Sequence, residues 1–124
     1  MHRSRLAALV IDSQVNDTQT AVDFWAAALG WPCRERDGEY GHLDTPADQP
    51  DVLVQRVAHE SRVHLDIETD DIDAEVARLA AIGATVVERF PRWVVMQAPT
   101  GHRFCVVHPQ RRDFETASDI NRWP

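Results

Sequence analysis

The sequence predicts an α+β protein made of two consecutive strand-helix-strand-strand-strand modules, and three observations carry that expectation. The same order of elements is legible twice, first as LAALVID, TQTAVDFWAAALG, CRER, YGHLDTP and VLVQRV, then as VHLDIE, DIDAEVARLAAIG, TVVERF, WVVMQAP and RFCVVHP. One offset of 53, set by Gly30 on Gly83, also lays Ala28 and Leu29 on Ala81 and Ile82, Glu35 and Arg36 on Glu88 and Arg89, and Tyr40 through Pro46 on Trp93 through Pro99. Each module also holds one amphipathic helical segment with its own start and stop signals.

Taken in order, the first strand is the apolar run Leu6 to Asp12. It aligns with its counterpart at an offset of 57, Ala7 on His64, so the loop Ser13 to Asp17 is longer than its equivalent. The first helix has Asn16 or Asp17 as cap and Val22, Trp25 and Leu29 as its apolar stripe, with Phe24 beside it and Gly30 to stop it. Phe24 and Trp25 are expected in the core, because apolar helical spacing accounts for them. The second helix places Asp70, Asp71 and Asp73 at its positive end, Ile72, Val76, Leu79 and Ile82 in one stripe, and Gly83 just past its end. The last strands pair Val54 and Gln55 with Phe104 and Cys105, at an offset of 50. The expected organisation is a single domain over 1–124, with modules at about 6–58 and 62–109 and a tail at 110–124.

Composition bounds the function. A chain of 124 residues, 44% hydrophobic and 27% charged, is about one domain long and able to build a core. The formal net charge of -7 lacks the basic footprint that a phosphate backbone requires, so no nucleic-acid partner is expected. Leu6 to Ile11 is too short for a signal-peptide core, and no stretch approaches a membrane span. Cys33 and Cys105 belong to no CxxC pair, which fits reduced thiols and a cytoplasmic location.

The doubled module, with DFWAAALGW closing its first helix and APTGHRFCVVHP forming its last turn and strand, resembles the glyoxalase-like members of the vicinal oxygen chelate (glyoxalase/bleomycin resistance/dioxygenase) superfamily. The resemblance spans Leu6 to Pro109. It implies two βαβββ modules forming a paired, curved mixed sheet around a cavity. For function it implies less, since such proteins include metal-dependent lyases, isomerases, ring-cleaving dioxygenases and thiol transferases beside drug-binding proteins that use no metal.

In the metal-using relatives four ligands come from the first and last strands of each module. Carried onto this sequence, those positions read Ala7, Gln55, His64 and Cys105, and only His64 is a full match. Gln55 offers a neutral amide, Ala7 offers nothing, and a Cys105 thiolate suits a soft ion better than magnesium, manganese or iron. Period-two alternation supplies other candidates: Tyr40, His42 and Asp44 face the cavity if Leu43 faces the helix, Trp93, Val95 and Gln97 do so from the second module, and His64, Asp66 and Glu68 share a face. His42 and His64 with Asp44 or Asp66 either form a non-standard metal or acid-base cluster, or are solvated residues on an open sheet.

His102 is explained by the turn at Gly101, while His2, His59 and His108 are assigned no chemistry. No GxSxG elbow, phosphate-binding glycine pattern or HExxH motif is present. The expected function is therefore glyoxalase-like binding of a small organic molecule, with a degenerate metal site and no cofactor. Its ligand contacts are His64, Gln55, His42, Tyr40, Trp93, Asp66, Cys105 and Trp31. The alternative is a metal-dependent lyase, isomerase or dioxygenase, using a divalent metal on His64 with Gln55 and an acid such as Asp66 or Glu68 as base. A homodimer is expected, because the paired open modules leave strand edges and an apolar flank that a second copy covers, and the tail from Phe114 to Trp123 is expected to pack across that flank to bury Ile120 and Trp123.

Overall fold

The computed structural model describes every residue, Met1–Pro124. In chain order the elements are β1 (His2–Ser13), α1 (Thr18–Leu29), β2 (Cys33–Asp37), β3 (Tyr40–Leu43), β4 (Asp51–Arg56), β5 (Arg62–Thr69), α2 (Ile72–Ala81), β6 (Thr85–Arg89), β7 (Trp93–Gln97), β8 (Arg103–Val107) and β9 (Asn121–Trp123). The strand-helix-three-strand order thus occurs twice, in a mixed sheet. Two compact units divide the chain, one of Ala8–His64 and one of Met1–Ala7 with Leu65–Pro124.

In the Ala8–His64 unit the strand order is β2-β3-β4-β1. β1 and β4 run parallel in the register Ala8↔Asp51 to Ser13↔Arg56. β3 is antiparallel to β4 and β2 to β3, with an irregularity between Cys33 and Glu35. α1 begins where the Asp17 carboxylate accepts the Gln19 N–H at 3.0 Å. It stops at Gly30, whose φ of 75° is the left-handed conformation that glycine adopts freely. Ala21 and Val22 bury against Val54, with Val15 and Trp25 packed around them. A Cβ on Gly41 would stand 2.5 Å from Val22 Cγ2, so that glycine is what admits the helix to β3.

The buried stripe of α1 is narrower than its sequence implies. Thr18, Ala21 and Val22 are its buried residues, whereas Phe24 is 62% exposed and Leu29 41% exposed. Phe24 is therefore not a core residue; its ring stands perpendicular to that of Trp25, centroids 5.0 Å apart. The line from Ala21 and Val22 to Trp25 already fills the space above Val54.

In the other unit the order is β5-β8-β7-β6, with β9 lying against the first residues of β1. β5 and β8 are parallel, and β8, β7 and β6 follow antiparallel. α2 is capped by Asp71, which accepts the Ala74 N–H at 3.0 Å, and carries Asp73 and Glu75 in its first turn. Val76 and Leu79 close over Ala84, Val94, Met96 and Val106. Burying each such side chain is worth about 1.5–3 kcal/mol. Ile82 lies outside this core at 67% exposed, because the helix has ended at Ala81.

The tail finds its burial on its own chain. β1 begins at His2 rather than at Leu6, and the added length gives β9 a strand to pair with, His2↔Trp123 to Ser4↔Asn121. Trp123 donates its indole N–H to Ser4 Oγ at 2.8 Å and lies under the Arg78 guanidinium at 3.8 Å. Phe114 and Ile120 are 2% and 8% exposed. Ile120 and Trp123 thus find cover against the chain's own β1 and α2. His2, assigned no chemistry, is buried and donates from Nε2 to Glu75 Oε1 at 2.7 Å.

Candidate functional site

Gly41 and Val54 are register partners on the α1 side of the first unit's sheet. Alternation therefore puts Tyr40, His42 and Gln55 on the opposite face. The parallel register Asp12↔Gln55 adds Asp12 to that face. Tyr40 and Gln55 are register partners in turn, and the Gln55 amide donates to the Tyr40 hydroxyl at 2.9 Å. Trp31 sits in the turn after α1, its backbone N–H bonded to the Ala26 carbonyl at 3.1 Å.

His64 joins this face from β5. Its Nδ1 lies 2.7 Å from Asp12 Oδ2, with side chains 15% and 4% exposed respectively. Asp12 Oδ1 is buried and has no hydrogen-bond partner. An unsatisfied buried acceptor is uncommon and costs about 1–3 kcal/mol. Asp12 is the functional candidate that the sequence reading missed. Its signal was an acid ending an otherwise apolar strand, on the same face as Gln55 once β1 and β4 are registered.

Further along β5, Asp66 is buried and is the register partner of Cys105 on β8. That pairing sets one carboxylate and one thiol side by side on β5 and β8. Cys105 is a free, partly buried cysteine. Glu68, expected to share a catalytic face with these residues, is instead structural. It is fully buried, with Oε2 bonded to Arg5 and Oε1 to the backbone N–H groups of Gln110 and Arg111. Trp93 is 39% exposed and stacks on Phe90, ring centroids 4.5 Å apart.

On the α1 side, an open groove of about 450 Å³ is lined by Ile11, Val15, Phe24, Trp25 and Val63, among others, with Ser61 and Arg62 on its polar margin. Phe24 is thus a groove wall rather than a core residue. At His102, Nδ1 is 2.7 Å from Thr100 Oγ1 in the turn where Gly101 has φ 90°, which agrees with a turn role.

The doubled module, its parallel first and last strands and its polar sheet face define a glyoxalase-like protein. Residues 8–107 match the family model described as glyoxalase-like domain, and the chain belongs to that family, within the vicinal oxygen chelate superfamily. The solved structure of a Streptomyces coelicolor methylmalonyl-CoA epimerase variant in complex with 2-nitronate-propionyl-CoA is similar. The identity is 20% and the TM-score 0.60, over 84% of this chain and 96% of that one. A structure described as NAD-dependent benzaldehyde dehydrogenase from Legionella pneumophila is 9% identical with TM-score 0.64, over 82% and 99% of the two chains. A variant of homoprotocatechuate 2,3-dioxygenase from B. fuscum is 12% identical with TM-score 0.61, over 88% of this chain and 34% of that one. At these identities the likeness is one of fold. No curated protein matches the chain.

Proposed function

We propose that this chain binds a small organic molecule and does so without a resident metal, using the polar sheet face that carries His64, Gln55, Tyr40 and His42. The observation that carries this reading is the chemistry at the four positions where metal-using relatives place ligands. Ala7 is fully buried and has no donor, and Gln55, whose amide N–H donates to Tyr40, offers only a neutral amide oxygen. One imidazole, one thiol and one neutral oxygen then remain, and a hard dication must regain its lost hydration from several oxygen or nitrogen donors at once. Such a donor set does not fit magnesium or manganese. In this reading the site's polar side chains orient a ligand held by apolar contact.

A second reading places a divalent ion on His64 with the Gln55 amide oxygen, two of the positions at which the family resemblance puts ligands, on one face of the Ala8–His64 unit. An imidazole and a neutral amide oxygen would leave open positions for substrate oxygens. A bound ion would supply Lewis-acid polarisation of a carbonyl or enolate, as a lyase, isomerase or dioxygenase of this fold would need. Elemental analysis after chelator-free purification decides between the two. The first reading expects no stoichiometric metal, and one equivalent of zinc that is lost in His64→Ala would overturn it. Methylmalonyl-CoA and homoprotocatechuate, drawn from the structural neighbours, are the first probes for thermal stabilisation. A ligand at 100 times its Kd stabilises the native state by about 2.7 kcal/mol.

We also propose a homodimer. The outermost strands β2 and β6 are exposed along their whole length and present open edges. A single monomeric species in sedimentation at micromolar concentration would count against it.

A further inference from the structure

We propose that the ligand taken by the polar sheet face is a small organic cation, an ammonium or amidinium group on an apolar body. This rests on the reading that the face carrying Gln55, Tyr40 and His42 is the binding face. Register fixes which charges that face carries. Glu35 is the partner of His42 and Asp37 that of Tyr40, so both acids stand on the same side as those residues, and Asp12 stands with Gln55. The arginines of the Ala8–His64 unit lie elsewhere. Arg36 is the partner of Gly41 and bonds to Gln19 on α1, Arg56 is the partner of Ser13, one residue on from Asp12 and so on the α1 side, and Arg62 lines the groove on that side. Arg34 falls in the irregularity between Cys33 and Glu35, outside the register. Three acids therefore face one way with no arginine registered among them.

Exposed acids such as Glu35 and Asp37 are solvated and screened, and they would carry no site by themselves. Asp12 differs from them. Its side chain is 4% exposed, and its Oδ1 is buried with no hydrogen-bond partner, so the chain leaves one strong acceptor unmatched. Low exposure also means weak screening, which lets this charge act on a ligand at distances where a surface acid would be screened. The Gln55 amide donates to the Tyr40 hydroxyl and keeps its oxygen as an acceptor. Acceptors and negative charge without a registered cation suit an N–H-rich cation and oppose a carboxylate of the same shape.

Benzamidine, benzoate and benzyl alcohol carry the same ring with a positive charge, a negative charge and none, and titrating each into the ¹⁵N-labelled protein tests this. Benzamidine should shift the side-chain amide signals of Gln55 and bind at least about tenfold more tightly than benzoate. Asp12→Asn should weaken benzamidine about tenfold and leave benzyl alcohol unchanged. Asp37→Asn, at an exposed residue that folding does not depend on, should weaken benzamidine about twofold and serves if Asp12→Asn does not fold. Benzoate bound as tightly as benzamidine would overturn the proposal, as would a benzamidine affinity that neither variant lowers. If benzyl alcohol shifts Gln55 and benzamidine binds no better, the face binds ligands and the cation alone is wrong. If none of these probes shifts Gln55, the binding-face reading fails and takes this proposal with it.

Discussion

Glu68 and Glu75 on one side and Asp12 on the other are all buried carboxylates, yet they are satisfied to different degrees. Glu75 accepts from His2 and twice from Arg78. Glu68 accepts from Arg5 and from two backbone N–H groups. Asp12 accepts from His64 alone and leaves Oδ1 without a partner. The two glutamates belong to the unit that holds the tail, and their bonds tie β5, α2 and the residues after β8 to β1. The Ala8–His64 unit has no comparable clamp and keeps its one underpaired acid on the sheet face with Gln55 and Tyr40. Saturated carboxylates mark where charge holds the fold together, and an unsaturated one marks where binding is to be sought.

The sharpest way to break that contrast is to remove a saturated acid. Glu68→Ala would strand Arg5, whose side chain is 5% exposed, and two backbone donors. A loss of about 3–5 kcal/mol in urea unfolding is expected, because the remaining charge stays buried without its partner. A loss below about 1 kcal/mol would show that water replaces Glu68 easily.

Acid titration should give the next largest effect. Burial pushes the Glu75 carboxyl up, but hydrogen bonds from Arg78, His2 and Ser4 outweigh it and hold the group below its ordinary value. Burial likewise pushes Asp70 up, and the backbone and side chain of Arg3 bring it below its ordinary value. A carboxyl depressed in the folded state contributes stability that is present above its unfolded pKa and is lost as pH falls through the folded one. Stability should therefore hold from neutral pH to about 5 and fall below about 4. Urea midpoints measured against pH should fall less steeply in Glu75→Gln than in the wild type. Parallel curves would remove Glu75 from the account.

His64→Ala sits at the small end for the fold. A partly wet residue bonded to Asp12 should cost about 1 kcal/mol in stability, and a similar amount in affinity for any ligand that stabilises the wild type. A ligand bound equally well by both proteins would place the site elsewhere, and the groove beside Phe24 would be the next place to look.

The fold was legible because repetition and local chemistry agree: both helices, their caps at Asp17 and Asp71, and every strand of the two modules follow from periodicity and the offset between halves. What escaped depends on pairing between distant segments. Nothing near His2 announces that β9 will lie beside it, and nothing near Glu68 announces the N–H groups of Gln110 and Arg111. Phe24 reads as core because spacing says which helix face is apolar, not how wide a strip the sheet can cover. His64 was visible as a candidate, whereas Asp12 was not, because its meaning comes from the register of β1 on β4.

The paired stability of Asp12→Asn and Glu75→Gln tests the central contrast most directly. Both changes remove a charge while preserving shape. Glu75→Gln should cost about 2 kcal/mol or more, since several charge-assisted bonds are weakened together, whereas Asp12→Asn should stay within about 1 kcal/mol of wild type, with one such bond at stake and one oxygen already unmatched. If Asp12→Asn proves as costly as Glu75→Gln, Asp12 is a structural acid, and the distinction between the two kinds of buried carboxylate is wrong.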